Sequence, residues 1–498
     1  MSAKRRWLIL GIISSTLLLI VIDMTVLYTA LPTLTRELGA TASQKLWILN
    51  IYALIAAGLL LGMGTLGDRL GHKRLFLGGL VVFGLFSLIA AFSPSANVLI
   101  GARGGLAVGA AMMMPATLAL IRLTFSDARE QAMAFGVWAS VASGGAALGP
   151  VVGGLLLEHF WWGSVFLINV PIVLAALLLG TLLIHDHPGN AQRHWDWLGS
   201  LQVMIGLISL AYAVKELGKR SPSFAAMLVA LLLGALFLTL FIRRQHRVAQ
   251  PMLELSLFAM PLFRNAVIAA VASAVAFIGM ELVFSQRLQL VLGMSPLASA
   301  LFSLPLPLGS FVAGPVAGYY MSRLGSRRML FWTLLLSAAA MLAYLLLCNA
   351  AVPLQIASLA LLGMAMGAAL TAASSTIMLS VPTDQAGMAA SIEEVSFELG
   401  GAAGVTLAGS LLSAIYAWSA SLSMPARLSL NPLTFESLDD ALLVSATLSS
   451  DDAALLTGVA RSAFDTGFVA VLAVLAALLL IAALRVRPGR QAAVIPRA

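Results

Sequence analysis

Two similar stretches, "GTLGDRLGHKR" at residues 64–74 and "GYYMSRLGSRR" at residues 318–328, decide the fold. They share the first glycine, an Arg-Leu-Gly triplet and a final pair of basic residues, and each joins two long apolar runs. Glycine permits a tight turn there, and basic residues favour a position against membrane headgroups. The turn recurs 254 residues later, from Gly64 to Gly318. Such a repeat indicates two related membrane halves, a layout typical of secondary transporters with a substrate site between the halves.

The composition places the chain in a membrane. Of its 498 residues, 60% are hydrophobic and 10% are charged, against about 25% charged in an average soluble domain. The apolar runs are continuous rather than alternating, and about 20 such residues cross a bilayer as a helix. We therefore expect an all-α polytopic membrane protein with 14 transmembrane helices. The predicted spans lie near residues 7–29, 46–66, 75–93, 98–121, 133–157, 162–184, 198–214, 224–242, 264–285, 298–321, 329–348, 353–380, 387–416 and 466–484.

The distribution of charge predicts the topology and excludes several classes of protein. If both termini are cytoplasmic, most of the 29 lysine and arginine residues fall on the cytoplasmic side. This explains the net charge of +8 without a nucleic-acid partner. The single cysteine, Cys348, excludes an intrachain disulfide and a multi-cysteine metal site, so no metal is expected. The chain has no G-x-x-x-x-G-K-[ST] loop, so we expect no cofactor and an ion gradient, rather than ATP, as the energy source.

The first copy of the repeat is a candidate cytoplasmic gate. Asp68 in this copy corresponds to Ser322 in the second. Only the first copy can therefore pair an acid with an arginine and with the N-terminus of the next helix. The alternative is that both copies are plain turns that set the topology. The predicted gate residues are Gly64, Asp68, Arg69, Gly71, Lys73 and Arg74.

Carboxylates inside the predicted spans are the candidate carriers of protons and cations. In "ASIEEVSFELGGAAG", residues 390–404, Glu394 and Glu398 share one helix face, and Glu393 is rotated from Glu394 by about 100°. A low-dielectric site favours the protonated form of a carboxyl group, and neighbouring like charges favour it further. A cationic drug and a proton can then compete for the same group. Asp23 in the first span and Glu281 in the ninth are further candidates.

Each of these residues also has a structural interpretation. The glutamates could lie among headgroups at the start of a span, and Asp23 could be a hydrogen-bonded packing residue. Glu281 could reach the outer interface. Arg103, within the fourth span, is a candidate modulator because its charge stabilises a nearby carboxylate.

Other residues are weaker candidates. Soft or aromatic side chains suit organic cations, so Tyr28, Met113, Trp138 and Phe397 are predicted to line the cavity, with ordinary packing as the alternative. A run of small residues in the fifth span allows close helix packing and a bendable helix. This run comprises Gly145, Gly149, Pro150, Gly153 and Gly154.

Several motifs resemble the 14-span drug:proton antiporters of the major facilitator superfamily and their quaternary-ammonium exporters. "G-x-L-x-D-R-x-G-x-K-R" at Gly64 to Arg74 resembles the loop signature of the superfamily, and "GAALGPVVGG" at residues 145–154 resembles the antiporter motif. "IDMTVLYTALP" at residues 22–32, "NVPI" from Asn169 and "ELGGAAGVTLAGS" at residues 398–410 resemble that branch. The resemblance implies two six-helix bundles with two inserted helices between them.

The resemblance also implies the domains and the function. We expect a six-helix bundle at residues 1–184, an insertion at 185–263, a second bundle at 264–484 with an outer loop at 421–465, and a tail at 485–498. The expected function is proton-coupled export of lipophilic cations by alternating access, as a monomer in a bacterial inner membrane. Export of a neutral or anionic metabolite is the alternative. A membrane enzyme using the glutamates has little support, because no intramembrane His or Cys lies near them.

Overall fold

The computed structural model describes residues 2–190, 195–217, 223–248, 251–423 and 438–487, and the regular elements in these ranges are helices. The N-terminal half contains α1 (Ala3–Glu37), α2 (Ala42–Leu70), α3 (His72–Ala91), α4 (Ala96–Thr124), α5 (Ala128–His159), α6 (Ser164–Leu167) and α7 (Asn169–Leu183). The inserted pair is α8 (Trp197–Leu217) and α9 (Phe224–Gln245). The C-terminal half contains α10 (Pro261–Gln286), α11 (Pro296–Ser303), α12 (Pro305–Leu324), α13 (Ser326–Leu347), α14 (Val352–Leu379), α15 (Ala386–Ser423), α16 (Leu438–Ser445) and α17 (Ser450–Val486).

The number of membrane-spanning helices agrees with the prediction. In the described part of the chain, 13 helical stretches are long and apolar enough to cross a bilayer. The helix α5 supplies a fourteenth span, bent by 45° between its parts Ala128–Ala146 and Val151–His159. Two other spans each consist of two consecutive helices with a short break between them. These are α6 with α7, and α11 with α12. The prediction of an all-α polytopic membrane protein is confirmed.

Both ends of the described chain lie on one face of the bundle, which we call the terminal face. Arg6 near the start of α1 pairs with Glu130 at the start of α5 at 2.7 Å. Beside it, the Arg129 guanidinium lies over the Tyr319 ring at the end of α12, 4.0 Å from the centroid. Arg327, at the start of α13, donates to the Arg487 carbonyl just after α17. We call the opposite side the distal face.

The two halves meet along two seams, where glycines allow backbones to approach closely. In the first seam, α5 packs on α12: Gly136 lies against the backbone of Gly314, and Gly318 lies against Ala132. In the second seam, α2 packs on α15, with Gly64 against Gly387. A Cβ atom at these glycines would meet backbone atoms of the facing helix. At their terminal ends, the two halves are therefore in direct contact.

The inserted helices cover the outside of the second seam. On one side, α8 packs against α2, where Ile208 and Met204 lie over Gly58. On the other side, Thr406 of α15 donates to the Val214 carbonyl of α8 at 2.9 Å. The helix α9 packs behind α8 and leaves leucines on its other side exposed, as expected for a lipid-facing helix. The helix α8 therefore contacts both halves.

Asp196 fixes the start of α8. Its carboxylate accepts from the Gly199 N–H at 2.9 Å and pairs with the Arg244 guanidinium at 2.7 Å. Burial acts to raise the pKa of Asp196, but the hydrogen bonds from Arg244 and Gly199 outweigh it and hold the pKa below its ordinary value. The carboxylate therefore stays charged and joins α8 to the end of α9.

Two expectations for the distal face are wrong. The segment 421–465 is not one outer loop, because α15 continues to Ser423 and α17 already begins at Ser450; residues 424–437 lie outside the described residues. The predicted ninth span ends at residue 285 and so leaves Arg287 in the following loop, but Arg287 is not a loop cation. It is 2% exposed at the end of α10, pairs with Asp465 of α17 at 2.7 Å and donates to Asn349 at 2.6 Å. The helices are longer than the membrane core, so their ends bury polar groups that a hydropathy pattern assigns to loops.

The glycine seam between α5 and α12 gives a prediction. Gly314→Val would force a side chain against Gly136 and Ser140, which costs about 1–3 kcal/mol in the closed arrangement. We expect the two helices to separate at the terminal face. A cysteine replacing Ala132, in a chain with Cys348→Ala, should then react faster with a water-soluble maleimide. Gly11→Ala is the matched control, because nothing lies within 4 Å of its added Cβ. An unchanged labelling rate in the Gly314→Val protein would contradict this prediction.

Candidate functional site

A buried ion pair in the N-terminal half, together with two polar side chains beside it, joins four helices. Asp23 of α1 is 0% exposed and Arg103 of α4 is 2% exposed, and the Arg103 Nη1 lies 2.6 Å from the Asp23 Oδ2. The Asn169 amide at the start of α7 donates to the other Asp23 oxygen at 3.0 Å and to the Ser87 hydroxyl at 3.1 Å. Asp23 therefore has a cation and a neutral donor, one on each oxygen. Both the modulator interpretation of Arg103 and the packing interpretation of Asp23 fit this geometry.

Tyr52 of α2 connects this pair to the C-terminal half. The Arg103 guanidinium lies over the Tyr52 ring, 4.6 Å from its centroid. The fully buried Tyr52 also lies near Asp23 and near Glu398 on α15. One aromatic side chain thus contacts the charged pair of one half and lies near a carboxylate of the other.

One face of α15 runs along α2. Gly387 packs on Gly64, and one turn later the Ser391 hydroxyl donates to the Leu60 carbonyl at 2.8 Å. Glu394 and Glu398 continue this face at helical spacing. Glu394 is 4% exposed and its Oε1 has no hydrogen-bond partner among the described residues. Glu398 is half-buried. These two glutamates therefore lie on the seam between the halves.

Glu393 belongs to a different face of α15. Gly400, two turns further along that face, packs on Val271 and Ala274 of α10. Glu393 itself is 7% exposed and lies beside Ser374 of α14. Glu393 and Glu394 are buried by protein, and this favours an interior position over a position among headgroups. The rotation expected between neighbouring helix residues thus directs Glu393 into its own half.

Glu281 is placed differently from the other carboxylates. It is exposed, although Phe277 and Phe284 on the same face of α10 are buried. Its span continues to Val291, so Glu281 lies roughly 15 Å before the distal end of the span. The interpretation that Glu281 reaches the outer interface stays a prediction, because α10 is longer than the membrane core. It lies on α10, which packs on the side of α15 away from α2.

The predicted gate residues divide into two groups. Gly64 and Asp68 contact the opposite half: the Asp68 Oδ1 accepts from the Gly387 N–H at the start of α15, at 2.9 Å, and from His72 at 3.1 Å. The positive end of the α15 dipole favours a carboxylate there. The sequence predicted that Asp68 would meet the N-terminus of the next helix, α3. Its carboxylate accepts instead from the N-terminus of α15, in the opposite half.

The basic residues of the predicted gate stay within the N-terminal half. Lys73 donates to the Thr181 carbonyl near the end of α7 at 3.0 Å, and Arg74 lies 3.8 Å from Asp186. Arg69 is exposed. Gly71 has φ +94°, and the His187 carbonyl lies so close that an added Cβ would be only 2.8 Å away. These residues therefore fix the α2–α3 turn against α7 rather than against the other half.

In the fifth span, the small residues pack mainly on α1. Gly145 lies against Leu18 and Val21, and Gly149 lies against Thr25. Gly153 is buried, Gly154 has nothing within 4 Å of an added Cβ, and the Pro150 side chain lies outside the described residues. The bend of α5 falls within this run.

The structure places the four cavity-lining candidates in different environments. Met113 is wrong as a lining residue, because it is fully buried in the contact between α4 and α3, opposite Gly79. Trp138 is buried and donates to Thr117 of α4 at 3.0 Å, so it has a packing role. Phe397 is half-buried beside Glu398, and the Tyr28 side chain lies outside the described residues.

The sequence reasoning missed four residues that complete this network. Asn169 begins the "NVPI" motif and could have been found there, because a polar residue inside an apolar run needs a partner. Tyr52, Ser87 and His72 gave no comparable signal. Tyr52 and Ser87 are common residues in membrane helices, and His72 corresponds to Ser326 in the second copy of the repeat, so none of them indicates its partner.

Comparisons with known proteins agree with the fold. The family model described as the Major Facilitator Superfamily matches residues 13–280 and 194–405. The methyl viologen resistance protein SmvA of Salmonella typhimurium is 41% identical over 463 residues, 92% of this chain and 93% of that protein. The multidrug efflux pump LfrA of Mycolicibacterium smegmatis is 39% identical over 485 residues, 96% and 95% of the two chains.

A solved structure gives the same overall architecture. The human organic anion transporter MFSD10 (TETRAN) superposes with a TM-score of 0.64 at 14% identity, over 98% of this chain and all of that one. At this identity the likeness concerns the fold alone. Together with the matches over almost the whole sequence, it shows that the protein is a membrane transporter rather than an enzyme and that the chain belongs to the Major Facilitator Superfamily.

Proposed function

We propose that the protein is a proton-coupled antiporter that exports lipophilic mono- and dications across a bacterial inner membrane, with both termini in the cytoplasm. The observation that carries the proposal is the placement of Glu394 and Glu398 on the α2-facing side of α15. Glu394 is a buried acid without a hydrogen-bond partner on one of its oxygens, and this is costly unless a proton or a cation joins it. The substrate class includes quaternary ammonium compounds, methyl viologen, cationic dyes and biguanides.

The coupling follows from competition for these carboxylates. A proton or an organic cation neutralises the pair, and the low-dielectric seam disfavours the state in which neither is bound. Protons entering from the distal side would displace the drug there, and drug entering from the cytoplasm would displace the protons. Each exchange needs the seam to open at one face at a time. The Asp68–Gly387 contact belongs to the arrangement closed at the terminal face.

Two further observations support a cationic substrate over a neutral or anionic one. The relatives SmvA and LfrA are named for resistance to methyl viologen, a dication, and for multidrug efflux. Inside the protein, the buried arginines Arg103 and Arg287 already hold the carboxylates of Asp23 and Asp465. An anion entering the interior would compete with these carboxylates for the arginines.

The glutamate pair gives the main test. We expect Glu394→Gln and Glu398→Gln proteins to insert normally and to lose most proton-driven efflux of a quaternary ammonium dye, because neither amide can exchange a proton for a cation. Dye efflux from inverted vesicles, energised by a proton gradient, measures this. The control is Glu158→Gln, which changes an exposed glutamate at the end of α5. Wild-type efflux in both seam variants would overturn the proposed mechanism.

Asp23 needs a test that separates its charge from its packing role. Asp23→Asn leaves the 2% exposed Arg103 without its anion and should destabilise the protein by about 3–5 kcal/mol. Adding Arg103→Met should recover most of that stability, because the lone buried charge is gone. We expect the double variant to fold, as judged by its melting temperature, and still to lack proton-driven efflux. Restored efflux in the double variant would show that Asp23 is only structural.

Binding measurements separate the substrate classes. Purified protein should bind a lipophilic dication and release protons on binding, and it should bind an anion of similar size at least about tenfold more weakly, a difference of about 1.4 kcal/mol. Isothermal titration in two buffers of different ionisation enthalpy counts the released protons. Stronger binding of the anion would favour the metabolite alternative.

A further inference from the structure

Three hydroxyl groups of α14 are turned away from their own helix. Thr371, Ser374 and Ser375 are at most 3% exposed, and their hydroxyl oxygens have no hydrogen-bond partner among the described residues. A serine or threonine inside an apolar helix usually donates to the carbonyl one turn earlier. Thr376 on the same helix does so, donating to Ala372 at 2.6 Å, and Ser380 donates to Thr376. The three exceptions therefore offer their oxygens to something other than the backbone.

The hydroxyls lie on one side of α14, and that of Ser374 lies next to a carboxylate. Residues three and four apart share one side of a helix, so Thr371, Ser374 and Ser375 form one polar patch. Ser374 lies beside Glu393 of α15, although neither the Ser374 Oγ nor the Glu393 Oε2 makes a hydrogen bond of standard geometry. Leaving a buried polar group unpaired is energetically costly. A ligand that uses several of these oxygens at once would remove that cost.

The chemistry of the oxygens selects the ligand. One carboxylate with neutral hydroxyls is a hard oxygen set, and its single negative charge balances one positive charge. The described part of the chain has no group of three His, Cys, Asp or Glu side chains able to hold a metal ion, which argues against a divalent or transition metal. We propose that Glu393, Thr371, Ser374 and Ser375 form a binding site for a small monovalent cation, Na⁺.

This site is separate from the pair used in the proposed function. Glu394 and Glu398 lie on the face of α15 toward α2, whereas Glu393 lies toward α14 within the C-terminal half. The cation can therefore bind while the seam carboxylates hold a drug, a proton or neither. Bound Na⁺ would neutralise the acid nearest to Glu394 and so change the electrostatic environment of the seam.

Thermal unfolding of the purified full-length protein tests the site. NaCl should raise the melting temperature relative to choline chloride at equal ionic strength, because a ligand that binds only the folded state stabilises it. We expect Ser374→Ala and Ser375→Ala each to weaken the apparent Na⁺ affinity by about tenfold or more, because each removes an oxygen that would contact the cation. Glu393→Gln should abolish the response. Thr376→Val is the matched control and should respond like the wild type.

The outcomes are distinct. An equal rise with choline, or wild-type Na⁺ responses in the Ser374→Ala and Ser375→Ala proteins, would overturn the proposal. So would stabilisation by acidification in Na⁺-free buffer with no further effect of Na⁺, which would mean that the site takes only a proton. If Glu393→Gln fails to fold, the two serine variants still decide. Glu394→Gln and Glu398→Gln should keep the Na⁺ response even without efflux, so this inference and the proposed function fail separately.

Discussion

A carboxylate buried away from water must find a partner, and this constraint governs the arrangement of the whole protein. Transfer of a charge to the interior costs several kcal/mol unless an opposite charge or several hydrogen bonds offset it. Asp23 meets the constraint with Arg103 and Asn169, Asp68 with the start of α15, and Asp196 with Arg244. Glu393 and Glu394 each keep an oxygen without a protein partner in the described structure. The three buried aspartates are thus satisfied by protein groups, whereas each of these two glutamates is only partly satisfied.

The helix α15 carries both the partly unpaired glutamates and the contacts that close the terminal face. The start of α15 makes the contacts that join the halves, from Gly387 to Asp68 and from Ser391 to Leu60. The glutamates follow within two to three turns of the same helix. A movement of α15 that breaks the contacts at its start also changes the distance between Glu398 and Tyr52. The seam glutamates and the contacts that close the terminal face therefore lie on a single helix.

The sequence predicted the features that depend on spacing along one helix and missed those that depend on a neighbouring helix. The span count and the separate faces of Glu393 and Glu394 follow from local periodicity, and the structure agrees with both. The partner of Asp68 lies 319 residues away. The predicted end of the ninth span at residue 285 leaves Arg287 in a loop, because hydropathy cannot tell a helix end buried by Asp465 and Asn349 from a solvated turn. Met113 was predicted to line the cavity because a methionine side chain does not reveal which helix it faces. In the structure it packs against Gly79 of α3.

The position of α8 has a consequence for molecules dissolved in the bilayer. It rests on α2 at Gly58 and is joined to α15 through Thr406, so that the outer side of this seam is protein rather than lipid. In the described part of the chain, the inserted pair makes no comparable contacts with the other seam, between α5 and α12. The two lateral boundaries of the transporter are thus unequal despite its internal repeat. A lipophilic compound diffusing in the membrane plane meets α8 at one boundary and the junction of α5 and α12 at the other.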